Sequence, residues 1–322
     1  MRIALAQLNP TIGDLAGNRE AIARAAQEAA AAGATLLVTP ELALCGYPPR
    51  DLLLEPGFLR RLEANQAQLA RELPPGLSLL LGTVLANPDQ VRGQRPLFNG
   101  AVLLQEGQVL QAFRKRLLPT YDVFDEDRYF QPGDRSDWFE WGGLRCGVSI
   151  CEDLWNDEGI WGQRHYAEDP IADLAQADLD LLINLSASPY WLGKPAQRER
   201  LVQRAAIRCG AAVLYVNQVG GNDDLIFDGS SLACAADGAL LDRAAGGGDR
   251  RRPRGPLATA GAGPGRLRPQ VRLPATAAGP ERWHRLGPGG DAGRRRRRPR
   301  AGAGSADALA LQLRPLRQRC PG

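Results

Sequence analysis

Three side chains with complementary chemistry each follow a short apolar segment that predicts a β-strand. They are Glu41, Lys115 and Cys151. A cysteine thiolate is a strong nucleophile, a carboxylate can accept and return a proton, and an ammonium group can stabilise an oxyanion. Because sites assemble where the strands of an α/β sheet end, we expect these three side chains to lie close together.

The position of Cys151 has two interpretations. It follows the predicted strand Leu144–Ile150 and precedes two acids, Glu152 and Asp153. A nucleophile at such a strand end is held exposed. Nearby backbone N–H groups can stabilise its thiolate, and a lowered thiol pKa raises the reactive fraction. A cysteine on a strand is more often a core residue, and the strand alone favours that interpretation.

Glu41 and Lys115 also have ordinary interpretations when each is taken alone. Glu41 could be an acid at a helix start, and Lys115 could belong to a solvated Arg-Lys-Arg run. Because Glu41, Lys115 and Cys151 all follow predicted strands, the two ordinary interpretations become less convincing when the three residues are considered together. The chain has 38 arginines but only two lysines, Lys115 and Lys194. Since lysine can lose its proton and arginine cannot, a retained lysine either serves lysine chemistry or survives by chance.

Composition limits the class of protein. The chain has 322 residues, 44% of them hydrophobic, so it can form a sizeable core. No apolar run reaches the roughly 18 residues that span a membrane. The first ten residues predict a strand instead of a secretory signal, so we expect a cytoplasmic protein. The six cysteines lack a CxxC pair, which predicts free thiols, and the two histidines lack a zinc-like spacing, so we expect no metal.

The order of the predicted elements indicates an α/β fold with mixed sheets. Strand and helix patterns alternate, and the turn at Glu106-Gly107 suits a hairpin, which argues against a strictly parallel doubly wound sheet. Asn18 is the predicted N-cap of the first helix. The predicted helices are 18–32, 58–73, 170–177 and 196–209, and the predicted strands are 2–8, 35–39, 77–84, 101–104, 108–113, 144–150, 181–185, 212–217, 225–227 and 231–235.

The composition changes abruptly after Arg243. Residues 244–322 contain 18 Arg and four acids, a balance of +14, whereas residues 1–243 hold 22 basic and 32 acidic side chains, a balance of −10. Because Arg, Gly, Pro and Ala bury little core, we predict a low-complexity, poorly ordered basic tail after a domain at 1–243. It could be a natural disordered tail, a nucleic-acid-binding arm, or GC-rich DNA read out of frame. We favour the third, and the single aromatic residue, Trp283, argues against the second.

Several motifs together carry a more specific signal. Glu41, Lys115 and Cys151, in this order and these contexts, resemble the Glu–Lys–Cys triad of the nitrilase superfamily. Four longer segments resemble the glutaminase domain of glutamine-dependent NAD synthetases, namely 114–130, 151–155, 184–189 and 217–230. The resemblance covers about residues 1–243 and implies a nitrilase-like α-β-β-α sandwich with mixed sheets.

The resemblance implies a role for each residue of the site. Cys151 attacks the side-chain amide of glutamine, Glu41 acts as general base and then general acid, and Lys115 stabilises the tetrahedral oxyanion. The implied substrate pocket comprises Tyr47, Tyr121, Glu126, Trp155, Ser188 and Lys194, with Glu126 as a second supporting carboxylate. The resemblance also implies a homo-oligomer and no cofactor for the hydrolase. From the apolar runs and the aromatic content of the tail we expect no membrane partner and no nucleic-acid partner.

In the family that the chain resembles, an ATP- and Mg-dependent synthetase domain follows the hydrolase and uses its ammonia to convert deamido-NAD to NAD. The Ser-Gly-Gly-x-Asp-Ser loop of that domain has no counterpart in this sequence, so we expect glutamine hydrolysis and no NAD synthesis. Two alternatives remain open. One is a stand-alone amidase or nitrilase acting on another small amide, and the other is a non-enzymatic fragment whose arginine-rich tail binds nucleic acid.

Overall fold

The computed structural model describes residues 2–246 and 307–312, which form two stacked sheets flanked by helices. The α-helices are α1 (Leu15–Ala31), α2 (Pro56–Glu72), α3 (Glu158–Trp161), α4 (Pro170–Ala175) and α5 (Lys194–Cys209), and 3₁₀ turns cover Arg50–Leu54, Glu126–Arg128 and Cys151–Leu154. The strands are β1 (Arg2–Gln7), β2 (Leu36–Val38), β3 (Ser78–Ala86), β4 (Leu97–Gln105), β5 (Gln108–Arg114), β6 (Asp137–Trp141), β7 (Leu144–Ile150), β8 (Leu181–Ser186), β9 (Ala212–Asn217), β10 (Val219–Asn222), β11 (Leu225–Asp228), β12 (Leu232–Cys234), β13 (Leu240–Arg243) and β14 (Asp307–Gln312).

Each large sheet has six strands of mixed direction. The first sheet has the order β14-β1-β2-β3-β4-β5, and the second has the order β13-β12-β9-β8-β7-β6. In the first sheet β1, β2 and β3 run parallel, and β3, β4 and β5 are antiparallel neighbours. In the second sheet β7, β8 and β9 run parallel. The parallel strands of both sheets therefore deliver their carboxyl ends to the segments that follow β2, β7, β8 and β9.

The core occupies three layers. The inner faces of the sheets pack on each other through aliphatic side chains such as Leu5, Val38 and Leu214. Helices α1 and α2 cover the outer face of the first sheet, and α4 and α5 cover the outer face of the second. Because both faces of a central strand are buried, strands such as β3 and β8 are almost continuously apolar. The predicted α-β-β-α sandwich with mixed sheets is confirmed.

Some details differ from the sequence-based predictions. Strands β6, β10 and β13 were not predicted, because they are short and carry polar or glycine residues that interrupt the alternation. Helix α1 begins at Leu15, and its N-cap is Asp14, whose carboxylate accepts from the Gly17 N–H. The predicted cap, Asn18, is instead buried and bonds to the backbone of Thr11 and Leu44. Asn18 therefore makes tertiary hydrogen bonds, although the local sequence pattern predicts it as the helix cap.

The predicted basic tail, 244–322, lies mostly outside the described residues. Within it, Asp307–Gln312 forms β14, which pairs antiparallel with β1. The sequence analysis predicted no strand there, although Asp-Ala-Leu-Ala-Leu-Gln has the alternation of one. The five described cysteines are all unpaired, and Cys320 lies outside the described residues. In the described part of the chain, no helix combines the length and apolar character needed to cross a bilayer.

Candidate active site

The three candidate catalytic residues come from strand ends in both sheets. Glu41 follows β2 and Lys115 follows β5 in the first sheet, and Cys151 follows β7 in the second. A hydrogen bond joins the sheets here, since the backbone N–H of Ala187, just after β8, donates to Glu41 Oε2 at 3.0 Å. The end of the sandwich where parallel strands finish therefore brings the candidates into one site.

The charged centre of the site is a buried cluster around Lys115. Its Nζ lies 2.7 Å from Glu41 Oε1 and 2.8 and 2.9 Å from the two oxygens of Glu126. Tyr47 donates its hydroxyl to Glu126 at 2.9 Å, and Asn99 donates its amide N–H groups to both carboxylates. Lys115 and Glu41 are fully buried, and a buried charge is tolerated when it is paired and hydrogen-bonded.

These contacts keep Lys115 charged. Burial alone lowers the pKa of its ammonium, but the attraction of Glu126 and Glu41 outweighs burial and holds the pKa well above its usual value. Burial raises the pKa of Glu126, and Lys115 opposes that rise. The cluster therefore offers a permanent cation between two carboxylates, one of which has an increased tendency to hold a proton.

Cys151 lies in a constrained turn. Its φ is +42°, in the left-handed region that non-glycine residues rarely adopt. The thiol is buried, with 8% exposure, so the expectation of an exposed nucleophile with a lowered pKa is not met. Burial raises the pKa of the thiol, Glu41 raises it further, and Lys115 opposes them. The resting thiol is therefore neutral and needs a base when it attacks.

Asp153 ties this turn to the segment that carries Lys115. Its carboxylate accepts from the backbone N–H of Ile150 at 3.0 Å, and from Arg116 and Leu117 at 3.0 and 2.9 Å. One side chain thus joins the end of β7 to the residues directly after β5. This links the turn that carries Cys151 to the segment that carries Lys115 across the two sheets.

Another buried carboxylate, that of Glu152, follows Cys151 directly in the chain. Glu152 is 5% exposed and accepts from the hydroxyls of Tyr121 and Tyr166 at 2.9 and 3.0 Å. Burial raises the pKa of Glu152, while Lys115 and both tyrosines oppose it. Tyr121 is 48% exposed, so its ring marks the outer wall of the site.

The remaining predicted pocket residues are Trp155, Ser188 and Lys194, and Lys194 acts electrostatically on Glu152. The ammonium of Lys194 lies 4.8 Å from the centroid of the Trp155 ring, a cation–π contact. Burial lowers the pKa of Lys194 to about 8, and the nearby Cys151 opposes the shift. The backbone N–H of Ser188 donates to Asn217 Oδ1 at 2.8 Å, which fixes the loop after β8.

The structure brings the nine predicted site residues together at one end of the sandwich. Sequence reasoning assigned no role to three further side chains, Asn99, Glu152 and Tyr166. Asn99 had a signal, since it is a lone amide in the apolar run Leu97–Leu104, and Glu152 had one in its position directly after Cys151. Tyr166 had none. Within residues 2–246 and 307–312, no group of three or more His, Cys, Asp or Glu side chains could hold a metal ion.

Comparison with known proteins agrees with this geometry. The family model for carbon-nitrogen hydrolases matches residues 2–249. The glutamine-dependent NAD(+) synthetase of Synechocystis sp. is 54% identical over 242 residues, covering 75% of this chain and 43% of that protein. The enzyme of the same name from Thermotoga maritima is 39% identical over 246 residues, covering 75% of this chain and 39% of that protein. The chain thus spans less than half the length of these curated relatives.

Solved structures with a similar fold belong to the same kinds of protein. The glutamine-dependent NAD+ synthetase of Acinetobacter baumannii superposes with a TM-score of 0.68 at 37% identity, covering 76% of this chain and 43% of that one. An amidase from Nesterenkonia sp. superposes with a TM-score of 0.63 at 25% identity, covering 76% of this chain and 86% of that one. In a variant of that amidase the acetamide moiety of fluoroacetamide is attached covalently to the active-site cysteine. From the family match over 2–249 and these likenesses, the chain belongs to the carbon-nitrogen hydrolase family of the nitrilase superfamily.

Proposed function

We propose that this chain hydrolyses the side-chain amide of glutamine through a thioester on Cys151. The observation that carries the proposal is the buried cluster of Glu41, Lys115 and Glu126 at the strand ends that also deliver Cys151. It combines a nucleophile, a base and a cation for the oxyanion in one water-poor site. The amidase relative whose cysteine is covalently modified supports a thiol nucleophile.

The reaction follows from the protonation states. The neutral thiol of Cys151 gives its proton to Glu41 as sulfur bonds to the carboxamide carbon, and the carbonyl electron pair moves to oxygen. Lys115 stabilises that oxyanion. When the C–N bond breaks, Glu41 returns the proton to nitrogen and ammonia leaves. Water then gives a proton to Glu41 and attacks the thioester; sulfur leaves, recovers that proton, and glutamate is released.

Two unpaired charges in the pocket support an amino-acid substrate. Among the described residues, Glu152 has no cationic partner within ion-pair distance, and Lys194 has no acidic one. Glu152 can receive the α-ammonium group of glutamine, and Lys194 can receive its α-carboxylate. The tyrosine hydroxyls on Glu152 and the Trp155 ring beside Lys194 carry no opposite charge, so a zwitterionic ligand would supply an ion-pair partner to both residues at once.

Glutamate release from glutamine tests the proposal, with Cys151→Ala compared against Cys45→Ala. Cys45 is a matched control because it is also a buried free thiol, whose pKa burial raises to about 12. We expect Cys151→Ala to lose about 10³-fold or more of the activity, since the nucleophile is gone. Cys45→Ala should keep the activity. Equal activity in both variants would refute a Cys151 thioester.

The second candidate is a stand-alone amidase for small aliphatic amides. The Nesterenkonia amidase favours it, because the aligned region covers 86% of that chain. A comparison of glutamine with acetamide and propionamide separates the two. The proposal expects glutamine to be preferred, since only glutamine engages both Glu152 and Lys194.

Broader assignments rest on the family resemblance. We propose that residues 1–243 form the hydrolase domain and that the released ammonia serves an ATP- and Mg-dependent ligase reaction that converts deamido-NAD to NAD. We also propose that the protein is a cytoplasmic homo-oligomer. The relatives named as glutamine-dependent NAD(+) synthetases support the proposed link to NAD synthesis. Sedimentation velocity tests the assembly, and a monomer at micromolar concentration would contradict it.

A further inference from the structure

We propose that Asn99 is a positioning residue of the hydrolysis, which holds the base Glu41 and the second carboxylate Glu126 in place around Lys115. The inference rests on the proposed thioester mechanism and assigns a role to a residue that the family triad does not include. Asn99 lies on β4 and is fully buried.

Asn99 contacts every member of the charged cluster. Its Nδ2 lies 2.8 Å from Glu41 Oε1 and 3.1 Å from Glu126 Oε2. Its backbone carbonyl accepts the Lys115 N–H at 2.8 Å. Since an amide nitrogen carries two N–H donors, each carboxylate can receive one of them. The opposite amide orientation would place Oδ1 against two carboxylate oxygens, so only one orientation suits the site.

A neutral donor is the side chain that this position requires. Two carboxylates and one ammonium leave the cluster with a surplus of negative charge. A cation in place of Asn99 would make the Glu41 carboxylate a weaker acceptor for the thiol proton. An acid in place of Asn99 would repel Glu41 and Glu126. The carboxamide supplies N–H donors to both acids without changing the charge that Lys115 presents to the oxyanion.

The contacts also distinguish the two oxygens of the base. Glu41 Oε1 accepts from both Lys115 and Asn99, whereas among the described residues Oε2 accepts only from the Ala187 N–H. Oε2 therefore retains the freer lone pair for the thiol proton. The terminal torsion of a glutamate is soft, so three donors on two oxygens are what hold the carboxylate plane. Without Asn99 the carboxylate plane can turn, and Oε2 no longer keeps one orientation for accepting the thiol proton.

Steady-state kinetics of the full chain with glutamine test this role. Asn99→Leu keeps the shape of the side chain and removes both donors. We expect kcat to fall about 10²-fold, because a base displaced by about 1 Å loses that much. KM should change by less than about threefold, since Asn99 contacts the acids of the cluster and not Glu152 or Lys194, which we assign to the substrate.

Asn99→Asp adds a pH signature that a purely structural role would not produce. The groups facing this position are Glu41, Glu126 and Lys115, with the Tyr47 hydroxyl beyond Glu126. As a carboxylate, the new side chain only accepts; once protonated, it donates one hydrogen bond. We therefore expect the kcat of Asn99→Asp to recover partly, relative to wild type, as the pH falls.

Thr83→Val is the matched control. Thr83 is fully buried on β3, opposite Gly100 in the β3–β4 pairing, and its hydroxyl has no partner in the described part of the chain. The Thr83→Val substitution should leave kcat unchanged.

If the Asn99→Leu variant unfolds below the assay temperature, Asn99→Ser is measured instead. Its hydroxyl retains one donor, which should give a kcat between those of wild type and Asn99→Leu. Wild-type kcat in any folded variant without the amide would overturn the proposal. An inactive wild-type chain would instead refute the proposed function.

Discussion

At the scale of single residues, burial decides how the thiol and the lysines behave. Cys151 is enclosed, so its pKa rises and its proton has to move to a base during the attack. Lys115 is also enclosed, but two carboxylates keep it charged. Lys194 contacts an aromatic ring and no acid within ion-pair distance among the described residues, and burial lowers its pKa to about 8. Two lysines in one site therefore have opposite shifts, each set by its partners.

The lowered pKa of Lys194 predicts a pH dependence of glutamine binding. Below about pH 8 the ammonium is charged and can hold the α-carboxylate; above it the charge is lost. We expect kcat/KM for glutamine to fall as the pH rises through about 8, approaching tenfold per pH unit beyond it. The arginine of the Lys194→Arg variant stays charged at all these pH values, so the decrease of kcat/KM above about pH 8 should disappear. Arginine fits the position of Lys194 less well than lysine does.

The measurement is kcat/KM between about pH 6.5 and 9.5 for wild type and Lys194→Arg. The α-ammonium of the substrate titrates equally in both assays, so the difference between the two profiles reports Lys194. The same slope in both profiles would exclude Lys194 as the group that titrates.

At the scale of elements, close backbone packing places Glu41. The segment after β2 crosses β3 at Gly82, where an added Cβ would overlap the carbonyl oxygen of Pro40 and lie 2.9 Å from the Cα of Glu41. No other residue type leaves room for this crossing. A glycine in the middle of a strand is otherwise unfavourable, so its presence here indicates close approach of another backbone.

Gly82→Ala should therefore displace Glu41 without touching a catalytic group. We expect a loss of about 1–3 kcal/mol in the free energy of unfolding, from overpacking, and a fall in kcat of about 10²-fold. Thermal unfolding and glutamate release measure the two effects. Gly221→Ala on β10 is the control, since the nearest atom to its Cβ is a carbonyl oxygen at 3.5 Å. Full activity in Gly82→Ala would show that the crossing does not set the position of the base.

At the scale of the whole molecule, the site belongs to the sandwich and not to the basic C-terminal region. All the residues assigned to catalysis and binding lie between Glu41 and Lys194. Two contacts join the sheets around them: the Ala187 N–H donates to Glu41, and the Asp153 carboxylate accepts from the Leu117 N–H. Within residues 247–322 the described element is β14, which pairs with β1 at the edge of the first sheet, away from the strands that precede Lys115 and Cys151.

Deletion of residues 247–322 should therefore separate stability from catalysis. It removes β14 and leaves β1 as an edge strand, so we expect a lower Tm and faster amide exchange in Arg2–Gln7. Cys151-dependent glutamine hydrolysis should persist at temperatures where the deleted protein is folded. Loss of hydrolysis from a folded deletion variant would place part of the function in the C-terminal region.

Much of the site followed from local sequence. The type and order of Glu41, Lys115 and Cys151, each after an apolar strand, indicated three candidate residues that the structure brings to one end of the sandwich; their roles and the sandwich followed from the resemblance. The cap of α1 was predicted wrongly, because the choice between Asp14 and Asn18 depends on a contact with Leu44, which lies far along the chain.

The sequence by itself determined which chemical groups are available and which strands end in them, because both depend on residue type and local periodicity. The tertiary structure alone decided how those groups behave. Asn99 meets Glu41 across 58 positions, and Ala187 meets Glu41 across 146. Such contacts depend on how two sheets stack, and burial of Cys151 depends on all the layers at once. Proton affinity and carboxylate orientation are set by these distant neighbours, and no local pattern encodes them.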